Sequence, residues 1–149
     1  MTAIGNPLDL FRLDGRCVVV TGASSGLGDR FARVAHAAGA DVVVAARRAE
    51  RLEALTGELP GSHAVAVDLS QPADRERLVA SAIDRFGKVD VLVNNAGVGQ
   101  KIAIEEEDLD MFRTAMELNV TVPFLLCRAL VLSALGRVRG RTAGRASGG

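Results

Sequence analysis

Tyrosine and tryptophan are both missing from these 149 residues, and lysine occurs only at Lys88 and Lys101. A tyrosine proton donor assisted by a nearby lysine is therefore excluded from this stretch of chain. The two cysteines, Cys17 and Cys127, lack Cys-x-x-Cys spacing and are too few for a disulfide framework, so both are expected to be reduced packing residues. The two histidines, His36 and His63, show no ligand spacing, and no metal site is expected. No apolar segment reaches about 18 residues free of charge, so no membrane span is predicted. Asn6, Asp9, Arg12 and Asp14 interrupt the apolar positions near the N-terminus, unlike a signal peptide, and a cytoplasmic location is expected.

Acid is unevenly distributed as well. All 18 acidic residues lie within 1–117 together with 13 basic ones, a net charge of −5, whereas 118–149 carry five arginines and no acid. An acidic body with a basic tail is not a nucleic-acid footprint, which needs a basic face on the fold itself. The stretch 136–149 has four arginines and no aromatic residue for base stacking, so RNA binding is disfavoured. The acidic run Glu105–Asp108 reads as a solvated helix start that complements the helix dipole.

What remains is rich in apolar, β-branched runs: 48% of the residues are hydrophobic, ample for one packed domain. Four near-continuous apolar runs, Cys17–Thr21, Asp41–Ala45, Ala64–Asp68 and Val89–Asn94, read as buried parallel strands. Helical periodicity separates them. Leu27, Phe31, Val34, Ala35 and Ala38 recur at helical spacing before Gly39. Ala49–Leu59 forms a second helix, and Gln71–Phe86 a third, with Ser70 as its cap and Gly87 as its stop. Asp108–Glu117 and Val120–Leu135 follow as helices, with a break expected near Asn119 and Pro123. The alternation predicts an α/β fold: a doubly wound parallel sheet of Rossmann type, incomplete at about four strands in the order 3-2-1-4, over residues 1–135. Residues 136–149 contain only Gly, Arg, Ala, Ser, Thr and one Val, and are expected to be a disordered tail.

The run Thr21-Gly22-Ala23-Ser24-Ser25-Gly26-Leu27-Gly28 carries the most chemical information. Glycines at 22, 26 and 28 suit a turn where backbone passes close to a pyrophosphate, and the following helix offers its free N–H groups to the phosphates. A tight strand-to-helix connection with no ligand would select the same residues, so the turn alone is weak. It lacks the Gly-Lys-Ser/Thr ending of a P-loop, which disfavours phosphoryl transfer.

The same run, with Asp68 after the third strand, Asn94-Asn95-Ala96-Gly97 after the fourth, and Asn119, resembles the short-chain dehydrogenase/reductase family over about residues 10–132. The resemblance implies a nicotinamide dinucleotide site built from Thr21, Gly22, Ser24, Ser25, Gly26, Leu27, Gly28, Arg47, Arg48, Asp68, Leu69, Asn95, Ala96 and Gly97. Asp68 and Leu69 would flank the adenine; as alternatives, Asp68 caps the next turn and Asn94 and Asn95 are strand-end turn residues. In this family an acid at the end of the second strand selects NAD, and Ala46 stands there instead. Arg47 and Arg48 follow, and a guanidinium suits the 2′-phosphate of NADP, with Arg47 the favoured contact. The plainer reading makes both arginines solvated residues that open the second helix. NADP is expected over NAD.

The family reaction is hydride transfer between nicotinamide and a carbonyl or alcohol, aided by a serine, a Tyr-x-x-x-Lys helix and an asparagine. Asn119 matches the asparagine; the other three have no counterpart. The chain is therefore expected to be the NADP(H)-binding portion of such an enzyme, inactive alone, or a non-catalytic nucleotide-binding fragment. The Gly/Arg/Ala mixture after Leu135 is what a GC-rich gene gives out of frame, so a frameshifted or truncated reading is expected. An open edge at the fourth strand and an uncovered helix over Val120–Leu135 predict aggregation and allow a homo-oligomer.

Overall fold

The computed structural model describes residues 7–99 and 102–146, with side-chain environments for 9–99 and 102–136. After a short 3₁₀ turn at Pro7–Phe11, the chain alternates β1 (Cys17–Thr21), α1 (Gly26–Ala37), β2 (Asp41–Ala46), α2 (Ala49–Glu58), β3 (His63–Ala66), α3 (Pro72–Phe86) and β4 (Val91–Val93). A 3₁₀ turn at Ile104–Glu106 precedes α4 (Leu109–Met116), a π segment (Glu117–Thr121) and α5 (Val122–Ala146). The sheet is parallel with order β3-β2-β1-β4, as expected.

Valine-rich strands suit the centre of this sheet because both faces are covered. Every residue of β1 is buried, as is every residue of β2 except Asp41. The register Val18↔Val42, Val19↔Val43 and Val20↔Val44 aligns equivalent side chains, and the strand period sends alternate residues to opposite faces. Val18, Val20, Val42 and Val44 meet Ala32 and Ala35 of α1 and Leu52 and Leu55 of α2. Cys17, Val19, Val43 and Ala45 meet Leu78 and Ala82 of α3 and Val122 and Leu126 of α5. Small alanines on α1 let the helix lie close to the strands, beside the end of β1 where the glycine turn emerges.

Several boundaries differ from the sequence reading. The outer strands are shorter than expected because each is paired on one side only: β3 with β2, and β4 with β1. Ser70 does not cap α3: Gln71 is the N-cap residue and Pro72 occupies the first turn, where a missing N–H costs nothing. At Asn119 and Pro123 the helix does not break but widens into the π segment, which absorbs the proline at the start of α5. Arg75 of α3, 11% exposed, bonds Glu117 at 2.8 Å and fixes this segment against α3. Helical backbone continues through Ala146 instead of ending in an irregular tail. Residues 147–149 lie outside the described residues.

The continuous helical run Leu109–Gly136 is long and apolar enough to cross a membrane by length and composition alone. Arg128 interrupts the run, so no charge-free stretch of about 18 residues marks it in the sequence. Its buried residues Val122 and Leu126 are packed under the sheet.

Candidate coenzyme cleft

The carboxyl ends of β1, β2 and β4 surround a cavity of about 240 Å³. Of the sequence-predicted residues, Gly22, Ser24, Ser25, Arg47, Arg48, Asp68, Leu69, Asn95, Ala96 and Gly97 line it. Its wall also includes Ala46, Val67, Val98 and Leu118. Val67 and Leu118 adjoin Asp68 and Asn119 in sequence, which is the only signal that could have found them.

Thr21, Gly26, Leu27 and Gly28 do not line the cavity, and the geometry explains three of them. Thr21 is 1% exposed. Its hydroxyl donates to the Val93 carbonyl at 3.2 Å and accepts from the N–H groups of Asn95 and Ala96, both at 3.0 Å. Asn95 returns the contact, its side-chain amide donating to the carbonyls of Thr21 at 2.9 Å and Gly22 at 3.3 Å. These bonds lash the ends of β1 and β4 together across one wall of the cleft. At Gly28 an added Cβ would collide with the Gly22 carbonyl oxygen and the Asn95 amide, and at Gly22 (φ 66°) it would meet Ala96 Cα at 2.9 Å. Both glycines are thus required by close backbone approach. Leu27 is 68% exposed, on the outer surface of α1.

Ser25 is the N-cap residue of α1, yet its side chain makes no capping bond. Instead the hydroxyl accepts from Arg48 Nη2 at 2.7 Å, while Ser24 accepts from Nε and Nη2 of the same guanidinium at 3.1 and 2.8 Å. The first-turn N–H groups of α1 therefore lack a side-chain acceptor from Ser25, and a cation stands beside them. Both favour an anion. Arg48 engages the glycine turn; Arg47, favoured from sequence as the 2′-phosphate contact, lines the cavity without a hydrogen bond among the described residues.

Asp68 lies between the two alternatives read from sequence. One carboxylate oxygen accepts from the Ser70 N–H at 3.0 Å, the turn-capping geometry, while the residue still lines the cavity. The Asp68 N–H is held by Asp74 at 2.7 Å. Arg77 and that backbone bond keep the Asp74 carboxyl below the ordinary carboxylate range against a smaller opposing effect of burial.

Asn119 lies in the π segment, and both ends of its amide are occupied: Oδ1 accepts from the Val98 N–H at 2.9 Å and Nδ2 donates to the Val98 carbonyl at 2.7 Å. An added Cβ at Gly97 would lie 2.7 Å from the same Oδ1. The side chain thus holds the strand-end loop in place. Asn94 bonds Cys127 Sγ at 3.6 Å and does not reach the cavity. His36 and His63 take no part in the cleft, bonding the Pro60 carbonyl at 3.0 Å and Ser81 Oγ at 2.8 Å. Among the described residues no cluster of His, Cys, Asp or Glu could hold a metal ion.

The short chain dehydrogenase family model matches residues 16–145. The chain belongs to the short chain dehydrogenase family. It is 42% identical to dehydrogenase/reductase SDR family member 7B of Rattus norvegicus, covering 83% of this chain and 41% of that protein. It is 34% identical to D-threitol dehydrogenase of Mycolicibacterium smegmatis, covering 80% and 48%. Among solved structures, 3-ketoacyl-(acyl-carrier-protein) reductase from Brucella melitensis complexed with NADH aligns with a TM-score of 0.76 at 38% identity, over 80% of this chain and 50% of that one. A 7α-hydroxysteroid dehydrogenase complexed with NADH and 7-oxo glycochenodeoxycholic acid aligns with a TM-score of 0.80 at 35% identity, covering 84% and 50%. The chain therefore spans half or less of the length of these relatives.

Proposed function

We propose that this chain is the NADP(H)-binding part of a short-chain dehydrogenase and that it does not catalyse hydride transfer by itself. The observation that carries the coenzyme preference is the end of β2, where Ala46 offers no carboxylate and Arg47 and Arg48 both line the cleft. A carboxylate there would accept from a ribose 2′-hydroxyl, whereas guanidinium groups favour a 2′-phosphate. The fit to a dinucleotide rests on the cavity beside Gly22, Asp68 and Gly97 and on the helix start of α1 with its side-chain cap diverted to Arg48. In this reading the turn N–H groups hold the pyrophosphate, Arg48 leaves Ser24 and Ser25 for the 2′-phosphate with Arg47 beside it, and Asp68 and Leu69 flank the adenine. The coenzyme, when bound, exchanges a hydride with a carbonyl or alcohol substrate.

Catalysis is another matter. With no tyrosine in the sequence, the proton has no phenol to come from, and loss of such a group removes a factor of about 10²–10⁴. Asn119, bonded to Val98 by both amide atoms, shapes the cleft floor in this reading and does not replace the missing acid.

Titration of purified chain with NADPH and NADH by nicotinamide fluorescence tests the proposal. Saturable NADPH binding is expected, and Arg48→Ala should weaken NADPH by about 10- to 100-fold, as loss of a charge-assisted contact worth ~1.5–3 kcal/mol requires, with little effect on NADH. Equal loss of both coenzymes would refute the phosphate assignment, and failure of soluble, folded chain to bind either would refute the coenzyme role.

A further inference from the structure

We propose that the cavity between the start of β3 and one face of α3 is a second binding site, one that takes a tetrahedral oxyanion such as the phosphate group of a small molecule, through Arg85, Arg77, Ser81 and His63.

Two periodicities build the site. Arg77, Ser81 and Arg85 follow one another at four-residue spacing, which stacks them along one face of α3. His63 opens β3 two residues before Val65, whose side chain packs on the α3 side of the sheet, so the strand period turns the imidazole to that same side. His63 Nε2 and Ser81 Oγ meet at 2.8 Å. Together with Ala80 and Asp84 these residues line a cavity of about 420 Å³, which shares no lining residue with the coenzyme cleft.

Its guanidinium groups have donors to spare. Arg77 uses a single nitrogen, Nη2, for both the Asp74 carboxylate and the Ala66 carbonyl, each at 2.8 Å. These bonds anchor the side chain and leave Nε and Nη1 without a partner among the described residues. Arg85 lies over the Phe86 ring, 5.4 Å from its centroid, and has no hydrogen bond or ion pair among the described residues. The residues three and four positions before it are Ala82 and Ser81, so its own helix offers it no acid there. Asp84 is the one acid in the cavity wall among the described residues, but adjacent helical residues do not face each other.

Helical side chains lean toward the N-terminus, which carries the Arg85 guanidinium toward Ser81 and His63. Burial first, and the Arg85 charge second, hold the His63 imidazole below the ordinary histidine range. A tetrahedral dianion brings acceptor oxygens for the unfilled guanidinium donors and the Ser81 hydroxyl, and a charge opposite to that of Arg85. Bound there, it cancels the field that depresses His63 and favours the protonated ring, so the imidazole reports occupancy. The inference does not rest on the coenzyme assignment, and the two fail separately.

The test follows both imidazoles of the full chain by NMR as pH is varied, with and without sodium sulfate, which is dianionic throughout the histidine range. The chain has only two histidines, and His36, bonded to the Pro60 carbonyl, is the internal reference. The His63 midpoint should rise saturably, by about one pH unit, while His36 moves no more than in sodium chloride of equal ionic strength. Arg85→Gln should weaken sulfate at least about tenfold, and Asp84→Asn should tighten it by removing a like charge. Arg51→Gln, a control on α2, should leave it unchanged. All three positions are exposed, so the variants should keep the parent's circular dichroism. With glycerol 3-phosphate at neutral pH, tighter binding than sulfate identifies a monoester as the ligand, and equal or weaker binding a free oxyanion. A His63 midpoint that sodium chloride moves as far as sulfate does, or a sulfate response that survives in Arg85→Gln, would overturn the proposal.

Discussion

Replacing the Thr21 hydroxyl by a methyl group isolates the bonds that hold the cleft together. Thr21→Val keeps the shape and the β-branch, but the N–H groups of Asn95 and Ala96 lose their shared acceptor and the Val93 carbonyl loses its donor. A buried polar group left unpaired costs about 1–3 kcal/mol. Asn95 and Ala96 are only partly buried, so water can reach them in part and the low end applies, about 1 kcal/mol for each N–H and less for the carbonyl. The expected loss is about 2–3 kcal/mol, a large share of the ~5–15 kcal/mol available to an ordinary domain. Thr21→Ser is the control: it keeps the hydroxyl and deletes one buried methyl, at about 1 kcal/mol. In urea, with a slope of about 1–3 kcal/mol per molar, the midpoint should fall by roughly 1–2 M for valine and by about half that for serine. If the valine variant is as stable as the parent, or more stable than the serine variant, the hydroxyl does not hold β1 to β4 and the argument fails.

Two further outcomes follow from the other end of the sheet. Burial raises the Asp90 carboxyl, but the Cys17 N–H at 2.8 Å, Lys88 and Arg16 outweigh it and hold the group below the usual carboxylate range. A carboxyl lowered by folding adds stability above its unfolded value, near pH ~4, and that stability is lost as pH falls through the folded value. Asp90→Asn should therefore be less stable than the parent at neutral pH, with the gap closing in acid; a gap that urea melts find constant from neutral to acid pH would contradict this. Burial, with Asp41 and Asp90 nearby, pushes the Cys17 thiol up to about 11, while Cys127 is exposed. A thiol reagent near pH ~8 should label one cysteine in the folded chain, mapped by mass spectrometry to Cys127, and both in urea.

The sheet was legible because its signals are local and repeated. Val18–Val20 and Val42–Val44 can hardly be other than buried strands, and the glycine turn fixes where β1 hands over to α1. The ends were less so. Whether β4 starts at Val89 or Val91 depends on pairing with β1, a contact some seventy residues away in sequence, and no local pattern reports it. Likewise Ser70 is a good cap by type, but Pro72 already presets the helix start and shifts the cap to Gln71. The apolar residues of α1 are visible as periodicity, yet the period alone does not say which of Leu27, Phe31, Val34 and Ala35 face the sheet. Only Arg33 and His36, by bonding toward α2, show that the sheet side belongs to Ala32 and Ala35.

The arginines and Asn119 show a different limit, one of partners and not of pattern. The sequence shows Arg47 and Arg48 side by side; in the fold Arg48 is a helix N-cap residue with extended backbone, and its side chain turns back over Ser24 and Ser25. A cation at a helix start opposes the dipole of its own helix; the hydroxyls at the start of α1 give it hydrogen-bond acceptors, and an anion bound there would add an opposite charge. Asn119 is comparable. Its position in the motif order suggests proton chemistry, whereas its two bonds to Val98 make it a clamp on the loop that follows Gly97. The clamp is needed for geometric reasons, since the π segment brings Asn119 so close to Gly97 that any larger residue there would displace it. A residue whose amide is bonded at both its oxygen and its nitrogen to one backbone unit can position a loop without donating a proton. The cleft proposed for the coenzyme is thus lined from separate segments of this chain, whose sequence includes no tyrosine.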